Sequence, residues 1–202
     1  MTRAEKVIEE IKTQWFENHK ATKYTYDNVT IIDWREPGSS FYSVRYIFSG
    51  YRLYISGDIG DAIFDLTWKA TPESFRNINL GYLMGKLSCC SRDRWDFNEE
   101  KAQRELEEWR DERLYDAEDD SKFTNAMNEL CEDIESAICE GSSSSYFKHL
   151  IWSVYERANG NYFDSEDFQM IQDFGKELPR VFYAYLLGIQ MATKQLEEPT
   201  NT

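Results

Sequence analysis

Apolar residues recur at two periods along this chain, and the change of period divides it. In residues 3–20, Val7, Ile8, Ile11 and Trp15 fall on one helical stripe among Glu5, Lys6, Glu9, Glu10 and Lys12, which predicts an opening amphipathic helix. The period then shortens to two. Thr30, Ile32 and Trp34 share one face of a strand, Pro37-Gly38-Ser39-Ser40 supplies a turn, and Tyr42, Val44, Tyr46 and Phe48 alternate with Ser43, Arg45 and Ile47. Ser49-Gly50 leads into a third strand over residues 51–56, and Gly57-Asp58-Ile59-Gly60 reads as a reversal because glycine accepts positive φ without strain. Residues 61–68 then place Ala62, Phe64, Leu66 and Trp68 on one face. The expectation is a four-stranded antiparallel meander with one face covered by the first helix and by whatever follows the meander.

Beyond the meander the pattern is helical. Thr71-Pro72-Glu73 resembles a helix start, and residues 79–87 predict a second short helix. Residues 96–115 form a charged helix with a thin seam of Ala102, Leu106 and Trp109. Ser121 opens another, whose stripe is Phe123, Met127, Leu130, Ile134 and Ile138 and which Glu140-Gly141 ends. After the linker at residues 142–145 comes an aromatic helix over residues 146–158, broken at Asn159-Gly160-Asn161. Asp164-Ser165 starts a last helical region in which Pro179 marks a kink or a new start. The predicted class is α+β, with an N-terminal helix, the sheet and a mostly helical C-terminal half. It divides into an α+β subdomain at residues 1–95 and an acidic helical subdomain at residues 96–202.

Length changes this picture little, since 202 residues suffice for a core without covalent help. The four cysteines, Cys89-Cys90 and Cys131 with Cys139, show no CxxC spacing, and no window approaches a membrane span. A reduced cytoplasmic protein is expected, with no membrane association.

Charge changes it more. The net charge is −14, and residues 96–140 hold 17 acidic against 5 basic residues, while residues 1–95 hold 12 against 13. In the first acidic helix Glu105, Glu108 and Glu112 share one stripe and Glu100, Glu107 and Asp111 another, with Glu118, Asp119 and Asp120 extending the charge. Carboxylates one turn apart recur at about 5.4 Å, comparable with successive phosphates of a nucleic-acid strand. These nine residues are the candidate partner-binding set, and the partner they fit is a basic nucleic-acid-binding protein. Direct nucleic-acid binding by that face is excluded by its sign. Local pairing with Lys101, Arg104, Arg110 and Arg113 as a solvated face is the plainer alternative.

Other chemistry is sparse. Asp58, Asp61 and Asp65 lie in one hairpin and offer hard oxygen ligands, but Asp61 and Asp65 stand about 13 Å apart by strand rise, which favours turn and edge roles over a metal site. His19 and His149 lack adjacent partners, no glycine-rich phosphate loop occurs, and Cys131 and Cys139 sit roughly 12 Å apart by helix rise. No catalytic residue, metal ligand or cofactor is assigned. The alternatives kept open are a metal-dependent nuclease or hydrolase using the hairpin aspartates, and an oligomeric structural or regulatory protein. The latter would associate through Tyr146, Phe147, Trp152, Phe182, Tyr183 and Tyr185.

Over residues 40–100, the run Tyr54-Ile55-Ser56-Gly57-Asp58-Ile59-Gly60-Asp61-Ala62-Ile63-Phe64, then Trp68, Leu80-Gly81-Tyr82-Leu83, Lys86 and Trp95-Asp96, resembles a family of small phage and prophage proteins of Gram-positive bacteria. That family has no assigned chemistry. Size, acidity and such an origin are similar to the anti-CRISPR proteins, several of which occupy a nuclease's DNA groove as acidic mimics. The resemblance implies a non-enzymatic inhibitor of a host defence complex, the single-protein RNA-guided nuclease of a type II CRISPR system being favoured. Its place of action would be the cytoplasm of an infected or lysogenic bacterial host.

Overall fold

The computed structural model describes residues 1–115, 121–158 and 163–198. The chain divides into two compact units, one of Met1–Arg94 with Pro179–Thr202 and one of Trp95–Leu178. The expected second subdomain runs on through residue 202, whereas the last helix packs with the first unit.

In the first unit, helix α1 (Arg3–Glu10) begins with a capping box: Thr2 Oγ1 accepts from Glu5 N at 3.2 Å and Glu5 Oε2 accepts from Thr2 N at 2.7 Å. It widens into a π-helical turn, Ile11–Trp15, and stops there rather than at residue 20. The next residues form β1 (Lys20–Tyr26), and with β2 (Val29–Arg35), β3 (Val44–Ser49), β4 (Arg52–Gly57), β5 (Ala62–Asp65) and β6 (Leu87–Cys90) they make one antiparallel sheet in sequence order. Six strands replace the four that alternation predicts. Both additions are edge strands. All but one of the β1 residues are exposed, so it lacks the buried face that produces a period of two. Leu87–Cys90 follows α2 (Leu80–Met84) so closely that the two read as one apolar run.

The reversal between β4 and β5 is as expected, with φ of 149° at Gly57 and 110° at Gly60. A Cβ at Gly57 would lie 2.2 Å from the Ser43 carbonyl oxygen, so the turn requires glycine.

One sheet face is apolar over its central strands, with Ile32, Trp34, Tyr46, Phe48, Leu53, Ile55 and Phe64 all 3% exposed or less. Helix α7 (Arg180–Glu197) starts after Pro179 and buries Val181, Phe182, Ala184, Tyr185, Ile189 and Ala192. It comes close to the sheet because residue 188 is glycine: a Cβ there would sit 2.1 Å from the Tyr46 hydroxyl and 3.3 Å from the rings of Phe16 and Trp34.

The second unit packs α3 (Glu99–Tyr115), α4 (Ser121–Glu140), α5 (Ser144–Ala158) and α6 (Ser165–Ile171), with a two-residue ladder of β7 (Asp96–Phe97) and β8 (Lys176–Glu177). Its core includes Leu106, Trp109, Met127, Ile134, Phe147, Ile151 and Phe163, and Phe123 of the expected α4 stripe is partly buried against it. Asp164 caps α6 as its sequence position suggests, accepting from Glu166 N at 2.8 Å and Asp167 N at 2.9 Å. The break expected at residues 159–161 lies outside the described residues.

Candidate interaction surface on the acidic unit

Helical geometry sorts the α3 carboxylates. With Ala102, Leu106 and Trp109 turned into the core, successive steps of about 100° per residue carry Glu100, Glu107 and Asp111 to the opposite side and Glu108 and Glu112 to its flank. All five are exposed. Asp111 has Arg110 Nε 3.8 Å away, a loose and solvated pair.

Glu105 differs. Its Oε2 accepts from Gly175 N at 2.8 Å, and Oε1 lies 3.4 Å from Lys101 Nζ, which itself donates to the Lys176 carbonyl at 2.6 Å. Gly175 takes φ of 68°, and a Cβ there would meet the Asn98 carbonyl at 2.7 Å. Glu105 therefore fastens the turn before β8 rather than facing solvent with its neighbours. Glu118, Asp119 and Asp120 lie outside the described residues.

Further carboxylates come from α4, where Glu129, Glu132, Asp133, Glu135 and Glu140 are exposed. Their exposure is legible in the sequence, because each falls off the apolar stripe, yet none belongs to the candidate set, which lies on α3 and just past it. Asp133 pairs with Arg157 of α5 at 3.1 Å, and beside this pair lies a cleft of about 360 Å³ lined by Ala126, Glu129, Leu130, Val154 and Ala158. Its lining is apolar apart from Glu129 and the Asp133–Arg157 ion pair.

Among the described residues of this unit one carboxylate is buried. Asp167 accepts from Trp109 Nε1 at 3.2 Å and pairs with the Arg113 guanidinium, which stacks 5.9 Å from the Trp109 ring. This binds α3 to α6.

The hairpin aspartates are spent on structure. Asp58 Oδ2 accepts from Tyr42 N at 2.8 Å, and Asp65 Oδ1 pairs with Arg52 Nε at 2.7 Å. Asp61 is exposed, its backbone N–H donating to Ser91 Oγ at 2.8 Å. Among the described residues no three His, Cys, Asp or Glu side chains come together as metal ligands. His19 is buried against Phe16 and Trp34, with Nε2 3.2 Å from the Tyr42 carbonyl oxygen, and His149 is exposed. The four cysteines are free, and burial pushes the Cys131 thiol up to about 11.

The aromatic set does not form one surface. Phe147, Phe182 and Tyr185 are core residues, Tyr183 is half-buried, and Tyr146 and Trp152 are exposed. In the first unit, Trp68, Asn77, Ile78, Asn79 and Tyr82 line a second cleft of about 490 Å³, with Trp68 Nε1 donating to the Tyr82 hydroxyl at 3.2 Å. No described helix is long and apolar enough to cross a membrane.

No family model matches this chain, and no curated protein or solved structure matches it either.

Proposed function

We propose that this chain is a phage-encoded inhibitor that binds a basic nucleic-acid-binding protein of a bacterial defence system through the acidic side of its second unit. It acts in the cytoplasm of the infected or lysogenic host. A CRISPR effector nuclease is the favoured partner, and the single-protein nuclease of a type II system the favoured class. The observation that carries the reading is the concentration of charge: residues 95–178 hold 23 acidic against 8 basic residues, and Glu100, Glu107, Glu108, Asp111 and Glu112 are exposed together on α3. Such a surface competes for Lys/Arg grooves that hold backbone phosphates or read the PAM duplex.

The test is competition between the pure chain and a target duplex for a guide-loaded type II nuclease, followed by gel shift at several salt concentrations. Displacement of DNA that weakens steeply with salt is expected. The triple reversal Glu107→Lys, Glu108→Lys and Asp111→Lys should abolish it. Equal inhibition by that variant would overturn the assignment of this face.

A further inference from the structure

The strand register aligns a row of apolar side chains on the sheet face opposite α7. Tyr24 pairs with Ile31, Ile31 with Ile47, Ile47 with Tyr54, Tyr54 with Ile63 and Ile63 with Cys89, so the row crosses all six strands. Cross-strand partners point to the same face. Tyr24 is 40% exposed, Ile31, Ile47, Tyr54 and Ile63 are half-buried, and Cys89 is exposed. The row is therefore solvent-facing, unlike the opposite face of the same strands. Polar pairs flank it on both sides: Asp33 with Arg45, Nε to Oδ1 at 2.6 Å, and Arg52 with Asp65 at 2.7 Å.

From this register we infer that the row is a docking site for one amphipathic helix of a partner protein, with an apolar seam and acidic flanks. Length sets the occupant. Six strands about 4.8 Å apart span about 24 Å, the length of a helix of about 16 residues. Area argues against a second copy as the occupant, since strands of about 20 Å give a face of about 500 Å², by itself short of the roughly 800 Å² per partner that a stable dimer buries. Charge selects the flanks. Lys20 and Arg35 share this face with the Asp33–Arg45 and Arg52–Asp65 pairs, so the surplus is two cations at one end of β1 and β2. That surplus suits a few helix carboxylates. It is small for a nucleic-acid strand, because Arg45 and Arg52 are already paired within the sheet. The surface belongs to the first unit and stands independently of the acidic one.

The experiment uses the full chain and a fluorescein-labelled synthetic peptide of about 17 residues, with leucine at the i, i+3, i+4 and i+7 positions and glutamate beside them. Fluorescence anisotropy should show saturable binding, weakened about tenfold or more by Ile47→Ser and by Tyr24→Ser, and weaker for a peptide with lysine flanks. Tyr24 lies on the exposed edge strand, so its variant tests the row where Ile47→Ser impairs folding, as circular dichroism would report. Absence of binding, or unchanged affinity in a folded Tyr24→Ser chain, would overturn the proposal. So would an oligo-dT strand that displaces the peptide, or a wild-type dimer lost in the Ile47→Ser chain, the first pointing to nucleic acid and the second to a second copy.

Discussion

The indole N–H of Trp109 on α3 donates to the buried carboxylate of Asp167 on α6 at 3.2 Å, and the Arg113 guanidinium meets the same oxygen. One carboxylate thus holds two donors from a helix whose other acidic side chains, Glu105 apart, face water. Asp167→Ala strands the indole N–H in the core, and we expect a loss of about 1–3 kcal/mol, discounted at Arg113 because its side chain is partly exposed. Asp167→Asn keeps an acceptor and should lose less. Urea unfolding followed by far-ultraviolet circular dichroism orders the two variants.

Gly188 and Tyr46 make a second pair. The Tyr46 hydroxyl is buried with no hydrogen-bond partner among the described residues, directly above the α7 backbone at Gly188. Gly188→Ala drives a methyl group into it and should cost about 1–3 kcal/mol by overpacking. Tyr46→Phe removes an unsatisfied hydroxyl and should be neutral or stabilising. The double variant should recover part of the alanine penalty, so a double-mutant cycle with no coupling energy would refute the contact.

Acid should destabilise the first unit in two steps. Burial between aromatic rings holds His19 below the usual 6.5, outweighing the Tyr42 carbonyl and Glu36, which favour the proton. Because the folded ring resists protonation, its contribution is complete above 6.5 and falls as pH drops from there toward the folded value. Asp33 has the same sign from a different cause. The hydrogen bond from Arg45 depresses its carboxyl, giving stability that is present above the ordinary value of 3.8 and lost as pH falls through the folded one. Urea midpoints between pH 7.5 and 3 should show both steps, and the upper one should vanish in His19→Gln.

Thiol labelling separates the cysteines. Cys89 and Cys139 are exposed and should react with Ellman's reagent at pH 8 in the native chain, whereas Cys131, buried and pushed up to about 11, should react only after denaturant is added. Native-state labelling of Cys131 as fast as the others would contradict its burial.

Elements with one wet and one dry face were legible in the chain itself. The alternation at Val44, Tyr46 and Phe48, the glycines at 57 and 60 and the stripe Met127, Leu130, Ile134 and Ile138 all recur in the structure. Each records its own burial in its period, because water and core select residues position by position. Strand β1 leaves no such record, since its pairing comes from backbone hydrogen bonds that any residue but proline can make.

The candidate sites were legible to the extent that they depend on charge. Composition placed the acidic excess in one segment, and helical spacing placed most of its carboxylates in solvent. That Glu105 would bend to the Gly175 amide, and that Asp167 would be buried against Trp109, followed from residues 58 to 70 positions away in sequence. Likewise, the row from Tyr24 to Cys89 exists only through strand register, which joins residues that no local window contains. Period and charge are local quantities, written residue by residue. Contacts across the fold depend on which segments meet, and that is settled by packing.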